Sequence, residues 1–166
     1  MTDQNHPLET PTSPPAPYKH KGWYSRNYLP HLDQPDLIQA ITFRLHDALP
    51  QQALIKIQEE LKSLETSNQQ GVNLDVERRK HIESYLDAGH GACYLRDPRF
   101  AGMIQDTLCY FDGERYRLLA WCVMPNHVHV VAEMLPDFAL AYVVHSWKSY
   151  TAREANKMLH RAGLGC

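Results

Sequence analysis

Two alternating runs, Arg115 to Met124 and His127 to Glu133, lie on either side of Pro125-Asn126. Proline at the second place of a four-residue turn presets φ, and asparagine at the third tolerates a positive φ, so the spacing predicts a tight reversal. Runs of this length, rich in Leu, Val and Trp, then form an antiparallel hairpin. Such a hairpin must bury one face, which obliges the rest of the chain to supply covering helices and neighbouring strands.

The flanking sequence supplies both. Leu37 to Leu45 alternates as a strand and is ended by Pro50. Leu54, Ile57, Leu61 and Leu64 recur at helical spacing over residues 51–66, and a second helical stretch runs from Asp75 to Ala88 before Gly89-His90-Gly91. Asp97 as N-cap and Pro98 at the first helical position open a third helix, with Phe100, Met103, Ile104, Leu108 and Phe111 on one side and Gly113 placed to stop it. A long helix over residues 137–160 buries Leu140, Val143, Val144, Trp147, Thr151, Ala155 and Met158. Three strands among many helical residues make the chain α/β in the α+β sense.

Composition narrows the class further. The chain has 166 residues, 43% of them hydrophobic, with 17 Lys+Arg against 19 Asp+Glu, which suits one globular domain. Residues 1–17 are proline-rich and poor in large apolar side chains, so they are expected to be a disordered tail ahead of a domain spanning 18–166. No apolar run is long enough to span a bilayer, the start has no signal-peptide pattern, and the four cysteines form no C-x-x-C pair; a cytoplasmic protein with reduced thiols is expected. The net charge of −2 gives no argument of its own for a nucleic-acid partner.

His127 and His129 project from the same face of their strand, about 7 Å apart at Cβ, so both imidazoles can converge on one cation. Glu133 shares their parity and is a candidate further ligand or supporting partner. Histidines two apart on an exposed strand that bind nothing are the plainer reading of the spacing alone. H-x-H followed by Glu four residues later also fits the cupin metal site, although too few strands are present for a jelly roll.

The string Trp121-Cys122-Val123-Met124-Pro125-Asn126-His127-Val128-His129-Val130-Val131 resembles the signature of the single-tyrosine HUH transposases, the REP-associated tyrosine transposases in particular. Tyr28-Leu29-Pro30-His31-Leu32-Asp33, Ile41-Thr42-Phe43-Arg44-Leu45 and Ser146-Trp147-Lys148-Ser149-Tyr150-Thr151 are similar to that family too, so the likeness covers roughly residues 22–162. The resemblance implies a ferredoxin-like antiparallel sheet with packed helices, a homodimer acting on single-stranded or hairpin DNA, and Mg²⁺ or Mn²⁺ held by His127 and His129. In complete relatives a tyrosine attacks the scissile phosphate, breaking the bond to the 3′-oxygen to give a 5′-phosphotyrosine and a free 3′-hydroxyl, with the cation polarising that phosphate.

The likeness stops short of the family's C-terminal features. The nucleophilic tyrosine, a third metal ligand and the last strand are expected to be missing, and neither Tyr142 nor Tyr150 matches the catalytic position. The catalytic residue is therefore unassigned, and a hairpin-binding remnant that does not cut is the alternative. Lys148, Arg153 and Lys157, opposed by Glu154, are the candidate DNA-binding residues of the last helix, against the simpler reading of a solvated face. Arg115 and Arg117 carry the same ambiguity. His31 and His90 are loop histidines without a spaced partner.

Overall fold

The computed structural model describes residues 20–25, 30–66 and 73–161, and the predicted hairpin is its centre. The expected tail at 1–17, Tyr28, Leu29, the His31 side chain and Cys166 lie outside the described residues. Strands Tyr116–Val123 (β4) and His127–Met134 (β5) pair antiparallel, and Ile38–Arg44 (β3) pairs antiparallel with the other side of β5, giving the order β3-β5-β4. A register shift between Leu118 and Ala120 puts a bulge in the outer strand β4, where the extra residue bends an edge. A separate two-stranded hairpin, Gly22–Ser25 (β1) with Pro30–Asp33 (β2), is not predicted by the alternation; strands of four residues carry almost no periodic signal.

The helices fall where their apolar spacing predicts: Gln51–Thr66 (α1), Leu74–Asp87 (α2), Pro98–Cys109 (α3) and Leu140–Arg161 (α4). Asp97 caps α3 by accepting from the Arg99 N–H at 2.9 Å. Gly113 does not stop that helix, which ends at Cys109; at φ +81° it makes the turn into β4 and donates its N–H to the Tyr116 carbonyl.

Alternation along β5 decides which side is core. Val128, Val130, Ala132 and Met134 are fully buried and pack with Phe100, Ile104 and Leu108 of α3 and with Val143 and Trp147 of α4. A smaller cluster, Ala48, Leu49, Ala53, Ile57 and Leu86, joins the α1–α2 pair to the end of β3. Helices α3 and α4 thus cover one face of the sheet, and the elements run β3, helices, β4, β5, helix as in a ferredoxin-like half. The opposite face carries the histidines and the exposed Ile38, Ala40, Thr42 and Arg44. Among the described residues a three-stranded and a two-stranded sheet are present, which is not a jelly roll, so the cupin alternative falls.

Candidate metal and nucleic-acid site

His127 and His129 converge as their spacing predicts, with Nε2 atoms 2.9 Å apart and ring centroids 4.6 Å apart at nearly a right angle. They are less open than an exposed strand face implies: His127 is 1% exposed and His129 half-buried. Each ring is held by its other nitrogen. His127 Nδ1 meets Asn126 Oδ1 at 2.8 Å, and His129 Nδ1 meets Thr42 Oγ1 at 3.0 Å across the strand pair.

Those partners decide what the Nε2 atoms can do. An amide oxygen only accepts, and the Asn126 orientation is set because its Nδ2 donates to the His90 carbonyl at 2.9 Å. His127 therefore carries its proton on Nδ1 and presents a lone pair at Nε2. The Thr42 hydroxyl can either donate or accept. When it donates, a proton on His129 Nε2 fills the gap to His127; when it accepts, two lone pairs face each other and call for a cation. Donors bound at about 2.1 Å and at right angles to one another stand about 3.0 Å apart, so the observed separation fits one shared ion. Burial, with the charge of His129 adding to it, lowers the His127 pKa from its ordinary value, while Asp87 and Glu83 oppose that shift. His127 is thus biased toward the unprotonated form that binds metals.

The hairpin tip is fixed from three sides. Leu45 N–H donates to the Asn126 carbonyl at 2.9 Å, and Leu95 N–H to the Pro125 carbonyl at 3.1 Å. The loop after α2 adds the His90 carbonyl. That loop packs so closely on Asp47, whose carboxylate accepts from Ala92 N–H at 2.6 Å, that a Cβ on Gly91 would lie 2.9 Å from Asp47 Cγ. Asn126 does not take the positive φ anticipated for it; its fully buried amide joins loop and histidine instead.

The other candidates are distributed differently. Glu133 shares the histidine face but is paired with Arg117 at 2.9 Å, and four residues of strand put it about 13 Å along from His129. Arg115 is neither solvated nor DNA-facing: it is buried, with its guanidinium 3.3 Å over the Phe111 ring and Nη1 3.5 Å from Tyr142 Oη. Lys148, Arg153 and Lys157 are exposed on α4, which packs on the sheet face opposite the histidines. Glu154 accepts from Arg153 Nε at 3.2 Å and from Lys157 Nζ at 2.9 Å, and those cations lower its pKa. Lys148 stands at a cleft of about 200 Å³ between β3, α3 and α4. The His90 ring stacks on Tyr85 at 4.2 Å and contributes to the site through its carbonyl.

Three residues beside the pair have no site role legible in the sequence. Thr42 orients His129, and Arg44 is the exposed cross-strand neighbour of His127. Asp87, at the end of α2, places Oδ1 3.7 Å from His127 Nε2. Period-2 alternation on β3 puts Thr42 and Arg44 on one face, but which strand they would oppose is not in the alternation. Among the described residues no three His, Cys, Asp or Glu side chains are already assembled as a metal-holding set.

Residues 99–163 match the family model of the IS200-like transposases. The IS200-like segment begins in α3, includes the whole histidine hairpin and ends just past α4. It supports a transposase-type function in general. No curated protein and no solved structure matches the chain. Among the described residues no helix is long and apolar enough to cross a membrane.

Proposed function

We propose that the chain is a transposase-type protein of the REP-associated kind that binds single-stranded or hairpin DNA at a divalent-cation site formed by His127 and His129. The observation that carries this reading is the 2.9 Å approach of the two Nε2 atoms, each ring being held through its Nδ1 by an oxygen. Mg²⁺ or Mn²⁺ bound there would polarise a phosphate oxygen and offset charge developing on it. Asn126 and Thr42 keep both rings aimed, while Arg44, on the same face and next to His127, is placed to hold a neighbouring phosphate. Glu133 serves the histidine face indirectly, by anchoring Arg117. Lys148, Arg153 and Lys157 extend the backbone contacts around the other side of the sheet. In this reading residues 18–166 act as one cytoplasmic domain that functions as a homodimer.

Binding without cutting is the form of this function that the tyrosines favour. Tyr142 points from α4 into the core, on the far side of the sheet from the histidines, and Tyr150 is half-buried with Arg153 5.4 Å from its ring. Anisotropy with a labelled hairpin oligonucleotide tests the reading. Tighter binding to the hairpin than to duplex is expected, strengthened by Mn²⁺, with the Mn²⁺ increment lost in the His127→Ala/His129→Ala variant and no covalent adduct on a denaturing gel. Equal affinity for duplex and hairpin with no effect of metal contradicts it, and an adduct abolished by Tyr150→Phe replaces the non-cutting form with a catalytic one.

A further inference from the structure

We propose that Asp87 is the carboxylate ligand that joins His127 and His129 on the cation; this rests on the metal reading above and adds a residue from a different part of the chain. Asp87 Oδ1 lies 3.7 Å from His127 Nε2, the same nitrogen that stands 2.9 Å from His129 Nε2. Ligands of one ion at about 2.1 Å are roughly 3.0 to 3.4 Å apart. A side-chain adjustment of a few tenths of an ångström therefore brings the carboxylate into bonding range. Asp87 is free to make it, being 60% exposed while the imidazole it faces is 1% exposed.

The position of Asp87 in its helix points the same way. It is the last residue of α2, where the partial negative charge of the helix end disfavours a carboxylate. Among the described residues His127 is the partner its side chain meets. The backbone beyond it is fixed to the site: Ala88 N–H donates to the Ser84 carbonyl, Gly89 N–H to that of Leu86, and the His90 carbonyl takes the Asn126 amide. Leu86, one residue before Asp87, is buried in the cluster that ties α2 to α1 and the end of β3. Asp87 is thus presented to His127 by a helix end packed on α1 and the end of β3, followed by a loop tied to the hairpin tip. Glu83, one turn earlier, adds a second negative charge whose field reaches His127. Two imidazoles with one carboxylate make a mixed nitrogen–oxygen donor set for a divalent transition-metal ion, for which Mn²⁺ serves as the probe.

Calorimetric titration of the full chain with Mn²⁺ tests this, comparing wild type with Asp87→Asn, Glu83→Gln and His127→Ala/His129→Ala. Asp87→Asn is nearly isosteric and lies at an exposed helix end, so folding is retained, as a thermal melt will verify. A tenfold or larger loss of Mn²⁺ affinity is expected for Asp87→Asn and less than threefold for Glu83→Gln. The Asp87→Asn loss should persist in 0.5 M KCl, because a lost ligand is not screened whereas a lost distant charge is. Wild-type affinity in Asp87→Asn beside none in the double histidine variant removes Asp87 and leaves the histidine site standing. A loss that disappears in 0.5 M KCl reduces Asp87 to a nearby charge and overturns its ligand role. Wild-type affinity in the double histidine variant overturns the histidine site itself.

Discussion

Asn126 holds His127 by its Nδ1–H at 2.8 Å while its own amide N–H is held by the His90 carbonyl at 2.9 Å. One buried side chain therefore couples the loop after α2 to the orientation of the imidazole. Asn126→Ala removes both bonds and leaves buried polar groups unmatched, at a cost of about 1–3 kcal/mol. Urea unfolding should show that loss, and Mn²⁺ affinity should fall roughly 10- to 100-fold, as when an oriented metal ligand loses its outer partner. Unchanged metal affinity in a folded Asn126→Ala protein would mean that the ring needs no such support.

His127 should make the fold sensitive to mild acid. In the unfolded chain its imidazole protonates near its ordinary 6.5, whereas burial and the His129 charge lower that value in the folded state. Between those two values the unfolded state binds more protons, so stability present above 6.5 is lost as pH falls toward the folded value. Thermal melts from pH 7.5 downward should show a decline that is shallower in His127→Gln. Equal slopes in the two proteins would contradict the lowered value.

Core packing has its own hydrogen-bonded chain. Trp147 Nε1–H donates to Tyr116 Oη at 3.0 Å, and that hydroxyl donates to the Leu108 carbonyl at 2.7 Å, linking α4, β4 and α3. Burial raises the Tyr116 pKa to about 12, so the phenol stays protonated and can donate throughout the physiological range. Tyr116→Phe should cost about 1–3 kcal/mol by orphaning the indole N–H, and Trp147→Ala about 3–5 kcal/mol by opening a cavity. Denaturant unfolding followed by circular dichroism measures both, and a Tyr116→Phe protein as stable as wild type would show that the chain of bonds contributes nothing.

On the DNA side, Glu154 engages two of the three basic residues proposed for α4. Glu154→Gln releases Arg153 and Lys157, so single-stranded DNA affinity should rise and fall more steeply with salt. Arg44→Ala should weaken binding and flatten the salt dependence by about one counterion. Fluorescence titration across KCl concentrations checks both; a Glu154→Gln protein with the wild-type slope would return α4 to an ordinary solvated face.

Elements whose signals are local could be read from the sequence. Asp97-Pro98 marks the start of α3, the alternation about Pro125-Asn126 marks the central hairpin, and the spacing from Leu140 to Met158 marks the buried face of α4. The same alternation put His127 and His129 side by side. What supports them was not legible, because Thr42 and His129 are 87 residues apart and only the β3–β5 register brings them together. Arg115 read as a strand-end cation because nothing local reveals the Phe111 ring beneath it. Asn126 was expected for its backbone tolerance and is used for its side chain. Asp87 sits in a polar helix whose pattern resembles any exposed surface.

The most direct test of the histidine site is electron spin-echo spectroscopy of the chain loaded with one equivalent of Mn²⁺. Coupling of the ion to two imidazole ¹⁴N nuclei is expected, reduced to one in His127→Ala or His129→Ala and absent when both are replaced. Stoichiometrically bound Mn²⁺ without nitrogen coupling, or with coupling unchanged by either substitution, would contradict a cation shared between His127 and His129.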